Sequence, residues 1–369
     1  MPTLTKARET MTSRERVVRT FNRERTDRVT IGYDTNPAIH KKFCAALGLA
    51  DDNHEALFQA IGVDYRGVNP PYVGPQLFPP STDDKVRVNT TTGSKHRWVE
   101  NNYGGYWDLF HFPLKGADDE AIAAHPVTSP DQYDYDAVGK SLDYYGGKYG
   151  IYFGSAGMPD IINGNSSVFG MEDLLCHLAL GNEAALSFIN RRADSALGVM
   201  ERTLERYKGR IDFIWMGEDL GTQIAPMVSL DLYRKHMKPI HKRFCDLAGL
   251  YGLPVIVHTC GSSSWAYEDF IEIGVSAVDT LQPEAVDMGV RYLKERYGGR
   301  LGFRGCISTA GPLAYGTADE VEAYCAEVLG IMMEGGGYHF APTHAIQDNS
   351  PVENVVRMYQ SAHTHGVYT

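Results

Sequence analysis

The sequence predicts an α/β protein that folds as one (β/α)8 TIM barrel, with an N-terminal helical extension and a cap insertion. From about residue 150 onward, short apolar runs alternate with longer amphipathic stretches. Each apolar run has the length of a strand buried on both faces, and repeated βα units build a parallel sheet. The six predicted strands of this region are Ile151–Phe153, Phe213–Met216, Val255–Val257, Ala277–Val278, Leu301–Phe303 and Tyr338–Ala341.

Two upstream segments complete a set of eight strands. Arg28–Asp34 and Val63–Val68 both combine β-branched or aromatic residues with a following polar or glycine-containing loop. Eight strands fit a barrel better than an open doubly wound sheet, which is the alternative. No GxGxxG turn follows any strand, so a dinucleotide site has no support. A single domain spanning residues 1–369 is therefore expected.

The N-terminal extension is predicted to be a helix with a basic, solvated face. Thr12 and Glu15 have the spacing of a capping box, and apolar residues follow at helical intervals.

The cap is predicted within the insertion of residues 70–147, which is too long for a plain helical connection. Lys85–Asn89 and His96–Glu100 alternate as the two strands of a hairpin, and the aromatic stretch Tyr103–Asp108 follows. Its aromatic side chains either line a substrate pocket or pack the cap onto the barrel.

Composition limits the class of partner. The formal net charge of −11 opposes binding to nucleic acid and to anionic membrane surfaces. No apolar run approaches the roughly 20 residues of a membrane helix, and no signal peptide begins the chain. Six scattered cysteines favour reduced thiols. A cytoplasmic location is expected.

The strongest chemical signal is a pair of metal ligands. His258 and Cys260 end the predicted fifth strand, and residues two apart on a strand share a face. Imidazole and thiolate together are typical ligands of zinc. The ends of neighbouring strands supply three candidates for the remaining ligand: Cys306, His344 and Glu218. Asp219 is a candidate orienting or acid–base residue, or alternatively a helix cap.

These segments resemble a known family in their content and order. The similar stretches are Arg14–Val17 with Asp27–Val29, Gly217–Gln223, His258–Gly261, and Gly335–Tyr338 with Glu353–Asn354. They resemble the uroporphyrinogen decarboxylase superfamily, and most of all its cobalamin-dependent methyltransferase branch. That branch includes the methylcobalamin:coenzyme M methyltransferases and the methyl-donor components of O-demethylases.

The resemblance implies a (β/α)8 barrel and an HxC motif that binds zinc. The coenzyme M enzymes carry a second cysteine where this chain has His344, which leaves a ligand set of His, Cys and His or one containing a carboxylate. True uroporphyrinogen decarboxylases have an arginine-rich segment after the first strand. Here Ile31–Pro37 contains no arginine, so porphyrinogen decarboxylation is not expected.

The implied function is zinc-dependent methyl transfer between a small methylated substrate, such as a methoxylated aromatic, and the cobalt of cobalamin. No DxHxxG cobalamin motif is present, so a separate corrinoid protein is expected to carry the cobalt. The oligomeric state is left open, and a homo-oligomer is compatible with the sequence. The substrate-pocket candidates are Tyr33, Asn36, Tyr106, Gln223 and Gln282.

Two alternatives remain at this stage. The first is a metal-independent decarboxylase with Asp34 or Asp219 as the acid. The second is a non-enzymatic protein that binds a corrinoid protein.

Overall fold

The computed structural model describes residues 4–50, 53–102 and 105–368. Within these residues, eight parallel strands form one curled sheet, which confirms the predicted TIM barrel. The barrel strands are β1 (Thr30–Ile31), β2 (Tyr65–Gly67), β6 (Gly150–Pro159), β7 (Phe213–Gly217), β8 (Val255–His258), β9 (Ala277–Leu281), β10 (Gly302–Ile307) and β11 (Tyr338–Pro342). The strands of the insertion are β3 (Val86–Val88), β4 (Lys95–Val99) and β5 (Tyr106–His111).

The barrel strands follow the order β1-β11-β10-β9-β8-β7-β6-β2. The two edge strands meet at Asp64, whose backbone N–H donates to the carbonyl oxygen of Ile31 at 3.0 Å. This contact brings β2, the last strand in the sheet order, beside β1, the first. The eight carboxyl ends therefore surround a common mouth, where barrel enzymes place their chemistry.

Helices connect the strands and cover the outside of the sheet. They are α1 (Ser13–Phe21), α2 (Pro37–Ala46), α3 (His54–Ile61), α4 (Asp119–Ala124), α5 (Tyr135–Tyr145), α6 (Ile162–Phe169), α7 (Met171–Leu180), α8 (Glu183–Arg206), α9 (Leu230–Leu232), α10 (Lys238–Leu250), α11 (Tyr267–Glu272), α12 (Val290–Tyr297), α13 (Pro312–Tyr315), α14 (Ala318–Met332) and α15 (Val352–Thr364). Two 3-10 turns, Pro130–Gln132 and Ser264–Ala266, and a π-helical turn, Tyr233–Met237, complete the helical elements of the described chain.

The N-terminal helix closes the amino end of the barrel. Thr12 and Glu15 form the predicted capping box of α1. The ring of Phe21 lies 4.9 Å from that of Phe213 and 4.8 Å from that of His339, both on barrel strands. Because α1 covers this end, access to the interior is from the carboxyl ends of the strands.

The insertion contains an antiparallel sheet in the order β3-β4-β5. Val86 pairs with Arg97, and Val88 with Lys95, so the predicted hairpin is present. The predicted aromatic stretch falls partly outside the described residues, at 103 and 104, and the remainder enters β5. No helix of the described residues is long and apolar enough to cross a membrane.

Candidate metal centre

His258 is the last residue of β8. Its Nε2 atom faces Cys260 at the mouth, and its Nδ1 atom contacts buried side chains of β9. His258 is only 8% exposed. Its Nδ1 atom lies 3.0 Å from Oδ2 of Asp279 and 2.5 Å from the hydroxyl of Thr280, both on β9. A carboxylate at this nitrogen favours the tautomer whose Nε2 carries a lone pair. Nε2 lies 3.4 Å from Sγ of Cys260.

His344 completes a group of three donors. It follows β11, and its ring centroid lies 5.9 Å from that of His258. One ligand atom from each of His258, Cys260 and His344 lies within 4.8 Å of the other two. Tetrahedral zinc with ordinary bond lengths separates a sulfur ligand from a nitrogen ligand by about 3.6 Å. The 3.4 Å sulfur–nitrogen distance therefore fits a shared ion.

The loop that carries Cys260 is held by hydrogen bonds from two sides. Oδ1 of Asp219 accepts from the backbone N–H of Cys260 at 2.7 Å, and Oε1 of Gln282 accepts from the N–H of Gly261 at 2.7 Å. Gly261 has a φ of 70°, and a Cβ there would overlap the carbonyl oxygen of Gly221. The loop thus requires glycine directly after the cysteine.

Asp219 is fixed in turn from the opposite side of its carboxylate. Its Oδ2 atom accepts from Nδ2 of Asn163 at 2.7 Å, and its Oδ1 atom lies 3.8 Å from Nε2 of His258. These contacts match an orienting role more directly than the alternative of a helix cap. The side chain of Asp219 is 23% exposed, so a molecule bound in the mouth could contact its carboxylate.

Behind the imidazole, Asp279 joins the centre to a buried arginine. Oδ1 of Asp279 lies 2.5 Å from Nη1 of Arg304, whose Nε donates to the hydroxyl of Tyr65 at 2.7 Å. Burial acts to raise the pKa of Asp279, but the charge of Arg304 and the contact with His258 outweigh it and hold the pKa at about 2. Asp279 is therefore ionised at neutral pH.

His258, at the end of β8, and Cys260, in the loop that follows, respond to their surroundings in different ways. Burial acts to lower the pKa of His258, but the hydrogen bond and charge of Asp279 leave it raised. Burial is also the main cause that raises the pKa of Cys260, and Asp219 adds to it. A thiol in this setting stays protonated unless a cation compensates the charge of the thiolate.

Glu218 lies elsewhere and is not a member of the three-donor group found among the described residues. Its two carboxylate oxygens accept from the backbone N–H groups of Ile161 and Ile162 at 2.7 and 2.9 Å, and Oε2 also lies 3.0 Å from Nε2 of His241. Glu218 therefore holds the start of α6. The geometry gives no support to its prediction as a ligand, and Cys306, fully buried on β10, is likewise outside the group.

The predicted substrate residues divide between two cavities and the rim. Tyr33 and Asp34 line a cavity of about 240 Å³ with Tyr65, Tyr152 and Trp215, at the ends of β1, β2, β6 and β7. Asn36 and Tyr106 line a groove of about 690 Å³ between the insertion and the barrel rim. Gln223 is exposed in the loop after β7, and Gln282 supports the Cys260 loop.

Asp279, Thr280 and Arg304 are the site residues that were not singled out from the sequence. Thr280 has a φ of 66° and Cys306 a φ of 68°, which non-glycine residues rarely adopt. A buried aspartate beside a threonine at a strand end is the signal that could have identified the first two. The partnership with Arg304 depends on the pairing of β9 with β10.

Residues 214–365 match the family model described as Uroporphyrinogen decarboxylase (URO-D). The predicted resemblance to this superfamily is thereby confirmed for the part of the chain that contains all three donors. No curated protein sequence matches the chain.

Solved structures resemble this chain in fold. A methyltransferase from Methanosarcina mazei is similar with a TM-score of 0.66 and 16% identity, over 95% of this chain and 98% of that chain. The YdhT protein from Bacillus subtilis covers 93% of this chain and 88% of its own at 11% identity, with a TM-score of 0.43. The first match supports the barrel assignment, and the second is too distant to add to it.

Proposed function

We propose that this protein is a zinc-dependent methyltransferase that moves a methyl group between a small methylated substrate and the cobalt of a separate corrinoid protein. The observation that carries this proposal is the convergence of His258, Cys260 and His344 within 4.8 Å at the barrel mouth. Three protein ligands are the number that a catalytic zinc site uses, with one position left for another molecule. Zinc held by these residues would supply Lewis acidity to an oxygen or sulfur atom of the substrate.

The chain's own residues prepare the donors for this role. Asp279 fixes the orientation and tautomer of His258 through the 3.0 Å contact at Nδ1. Asp219 and Gln282 fix the backbone on either side of the Cys260 thiol. Since these supporting groups are themselves held by Arg304 and Asn163, the donor positions are set before any ligand enters.

The aromatic cavity supports a substrate that contains a ring. It lies along β1, β2, β6 and β7, whereas His258 and His344 lie at β8 and β11, which flank that arc of the barrel. Tyr152 and Trp215 have ring centroids 4.9 Å apart. Aromatic walls beside a cation site suit a methoxylated aromatic, with the ring in the cavity and its methylated oxygen toward the donors.

The methyl-donor direction is the one that we favour. In this chain, His344 lies at the position where the similar coenzyme M enzymes carry a second cysteine. Since a corrinoid motif is missing from the sequence, the cobalt must come from a partner that approaches the open mouth.

The URO-D family match favours one other candidate, a metal-independent decarboxylase. In that case Asp34 at the aromatic cavity or Asp219 beside Cys260 would act as the acid. This reading leaves the three-donor group without a use. Chelator treatment separates the two candidates, because only the methyltransferase would lose activity.

The experiment is a methyl-transfer assay with the zinc-loaded protein, a corrinoid protein reduced to Co(I), and a panel of methoxylated aromatics and other methyl donors. Formation of methyl–cobalt is followed by the visible spectrum. We expect turnover with the unchanged protein, and a rate lowered at least 100-fold in Cys260→Ser. Cys306→Ala is the matched control, because Cys306 is a buried strand cysteine outside the donor group. Equal turnover in Cys260→Ser and the unchanged protein would refute the proposal.

A further inference from the structure

A polar cavity of about 200 Å³ lies apart from the metal centre, between the insertion and helix α8. None of its lining residues is a candidate metal ligand. The insertion contributes Thr92, His125, Thr128 and Tyr133 to the lining, and helix α8 contributes Arg192 and Ser195. The cavity is therefore formed where the inserted segment meets the barrel.

Arg192 brings a positive charge to this cavity without a matching negative charge. Its Nη1 atom donates to the carbonyl oxygen of Gly164 at 2.7 Å and to Oδ1 of Asn165 at 2.8 Å. No carboxylate of the described chain lies within 4.0 Å of the guanidinium, and no described residue accepts from its Nε or Nη2. A guanidinium has five N–H donors, so most of its capacity is left for a ligand.

The electrostatic surroundings leave the charge of Arg192 poorly compensated. Burial is the main cause that lowers its pKa, and Asp160 is the carboxyl group whose charge acts on it in the opposite sense. Burial, with Glu218 and Asp219 nearby, raises the pKa of Asp160 to about 8. Asp160 is therefore largely uncharged at neutral pH, and no acidic residue lines the cavity.

Hydroxyl groups from the insertion and from α8 lie close together in the lining of this cavity. The Thr128 hydroxyl is 3.2 Å from that of Ser195 and 3.3 Å from that of Tyr133. Each hydroxyl can donate one hydrogen bond. Their rotation can turn those protons toward a negatively charged ligand.

We propose that this cavity binds a small oxyanion, a phosphate or carboxylate group, with Arg192 as the charged anchor and the hydroxyls of Thr128, Ser195 and Tyr133 as donors. An arginine fork is the side chain best matched to such planar or tetrahedral oxyanions. Pockets for drug-sized ligands occupy roughly 300–1,000 Å³. The smaller volume here admits a small anion or the anionic end of a larger ligand.

Occupancy would link the insertion to the barrel. Because the lining residues belong to different parts of the fold, a ligand that contacts both parts stabilises the folded state, and this stabilisation grows with the logarithm of the ligand concentration above the dissociation constant. This effect needs neither zinc nor a corrinoid protein. The inference is therefore independent of the proposed methyl transfer.

The test is thermal unfolding of the full-length, metal-free protein titrated with inorganic phosphate, or with acetate, against chloride at constant ionic strength. We expect an unfolding temperature that rises with the logarithm of the concentration of at least one of the two oxyanions, and the oxyanion with the lower dissociation constant identifies the class of ligand. Arg192→Gln should raise the dissociation constant obtained from this titration at least tenfold. Arg191→Gln is the control, because Arg191 donates to the carbonyl oxygens of His125, Ile122 and Ala123 and does not line the cavity.

A second variant guards against misfolding of Arg192→Gln. The double variant Thr128→Val with Ser195→Ala removes two hydroxyls but keeps the bonds of Arg192 to Gly164 and Asn165, and it should weaken binding at least threefold. Protection of Arg192 from phenylglyoxal by the bound anion, measured by mass spectrometry, would locate the site. The proposal is wrong if neither oxyanion exceeds chloride, or if Arg192→Gln and the double variant bind as well as the unchanged protein.

Discussion

His258 and Asp279 lie directly opposite each other on neighbouring parallel strands, and the imidazole Nδ1 atom is 3.0 Å from the carboxylate Oδ2 atom. The other carboxylate oxygen is 2.5 Å from Arg304. One aspartate thus orients the first donor of the centre and neutralises an arginine in the barrel interior. The donor geometry and the stability of the barrel are coupled through this residue.

Asp279→Asn should weaken zinc binding by about 10- to 100-fold, because an orienting carboxylate behind a histidine ligand typically contributes this much. It should also destabilise the metal-free protein, because Arg304 is left buried without its counterion. Zinc affinity is measured by competition with a chromophoric chelator, and stability by urea unfolding. Thr280→Val removes the hydroxyl that lies 2.5 Å from Nδ1 and 3.4 Å from Nε2 of His258 but keeps the carboxylate, and it should give a smaller loss of affinity. Unchanged zinc affinity in both variants would contradict this role.

The third donor can be identified by comparing His344→Ala with Glu218→Gln. We expect His344→Ala to lose zinc at equilibrium while it remains folded, because His344 belongs to the donor group. Glu218→Gln should retain zinc but lose about 2–4 kcal/mol of unfolding free energy, because the buried carboxylate accepts from two backbone N–H groups and contacts His241. Metal content after gel filtration and urea unfolding are the two measurements. The reverse pattern would make Glu218 the ligand.

Acid should destabilise the protein partly through Asp64, which directly precedes β2 and lies beside β1 at the amino end of the barrel. The carboxylate is fully buried and contacts Arg16 at 2.6 Å and Arg28 at 2.7 Å. Burial acts to raise the pKa of Asp64, but the two arginines outweigh it and hold the pKa below its ordinary value. The Asp64 carboxylate therefore binds a proton less readily in the folded state than in the unfolded chain. Its stabilising contribution is present above about pH 4 and is lost as the pH falls further.

Asp64→Asn should accordingly cost about 1.5–3 kcal/mol at pH 7, because it removes one buried carboxylate partner from both arginines, while Arg16 keeps Asp27 and Arg28 keeps Glu9. Urea unfolding at pH 7 and at acid pH is the measurement, and the difference from the unchanged protein should shrink on acidification. Asp143→Asn is the control, since its contact with Arg210 is exposed and should contribute less than about 1 kcal/mol. A cost that stays constant from pH 7 to pH 3 would be inconsistent with this account.

Two glycines should respond to alanine in opposite ways. At Gly217, at the end of β7, a Cβ would overlap the backbone carbonyl of Ala156 on β6. We expect Gly217→Ala to lower the unfolding free energy by about 3 kcal/mol and to disturb Asp219, two residues further along the chain. Gly330 lies inside α14 with open space around its Cβ position. Gly330→Ala should raise the unfolding free energy by about 0.5–1 kcal/mol. Urea unfolding of both variants tests the contrast, and a stabilised Gly217→Ala would disprove it.

The barrel was predictable because each apolar run is local in sequence and its burial depends on its own residues. Val255–Val257 and Phe213–Met216, for example, lie inside β8 and β7. The predicted first strand, Arg28–Asp34, shortens to Thr30–Ile31. Outside this short strand, Arg28 forms an isolated bridge with Val367, and Thr35 forms one with Ile346. Those partners are more than 300 residues away, and no local pattern specifies them.

The sequence by itself determined the rhythm of strands and helices and the proximity of His258 and Cys260, which one residue separates. Strand β8 ends at His258, so the loop held by Asp219 and Gln282, rather than a shared strand face, directs the thiol toward the imidazole. The tertiary structure alone decided which distant residue joins them. Glu218 and His344 both follow barrel strands, yet the carboxylate turns to the start of α6 and the imidazole turns to the other two donors. That choice depends on how neighbouring strands and loops direct each side chain across the mouth, which is a property of the closed barrel.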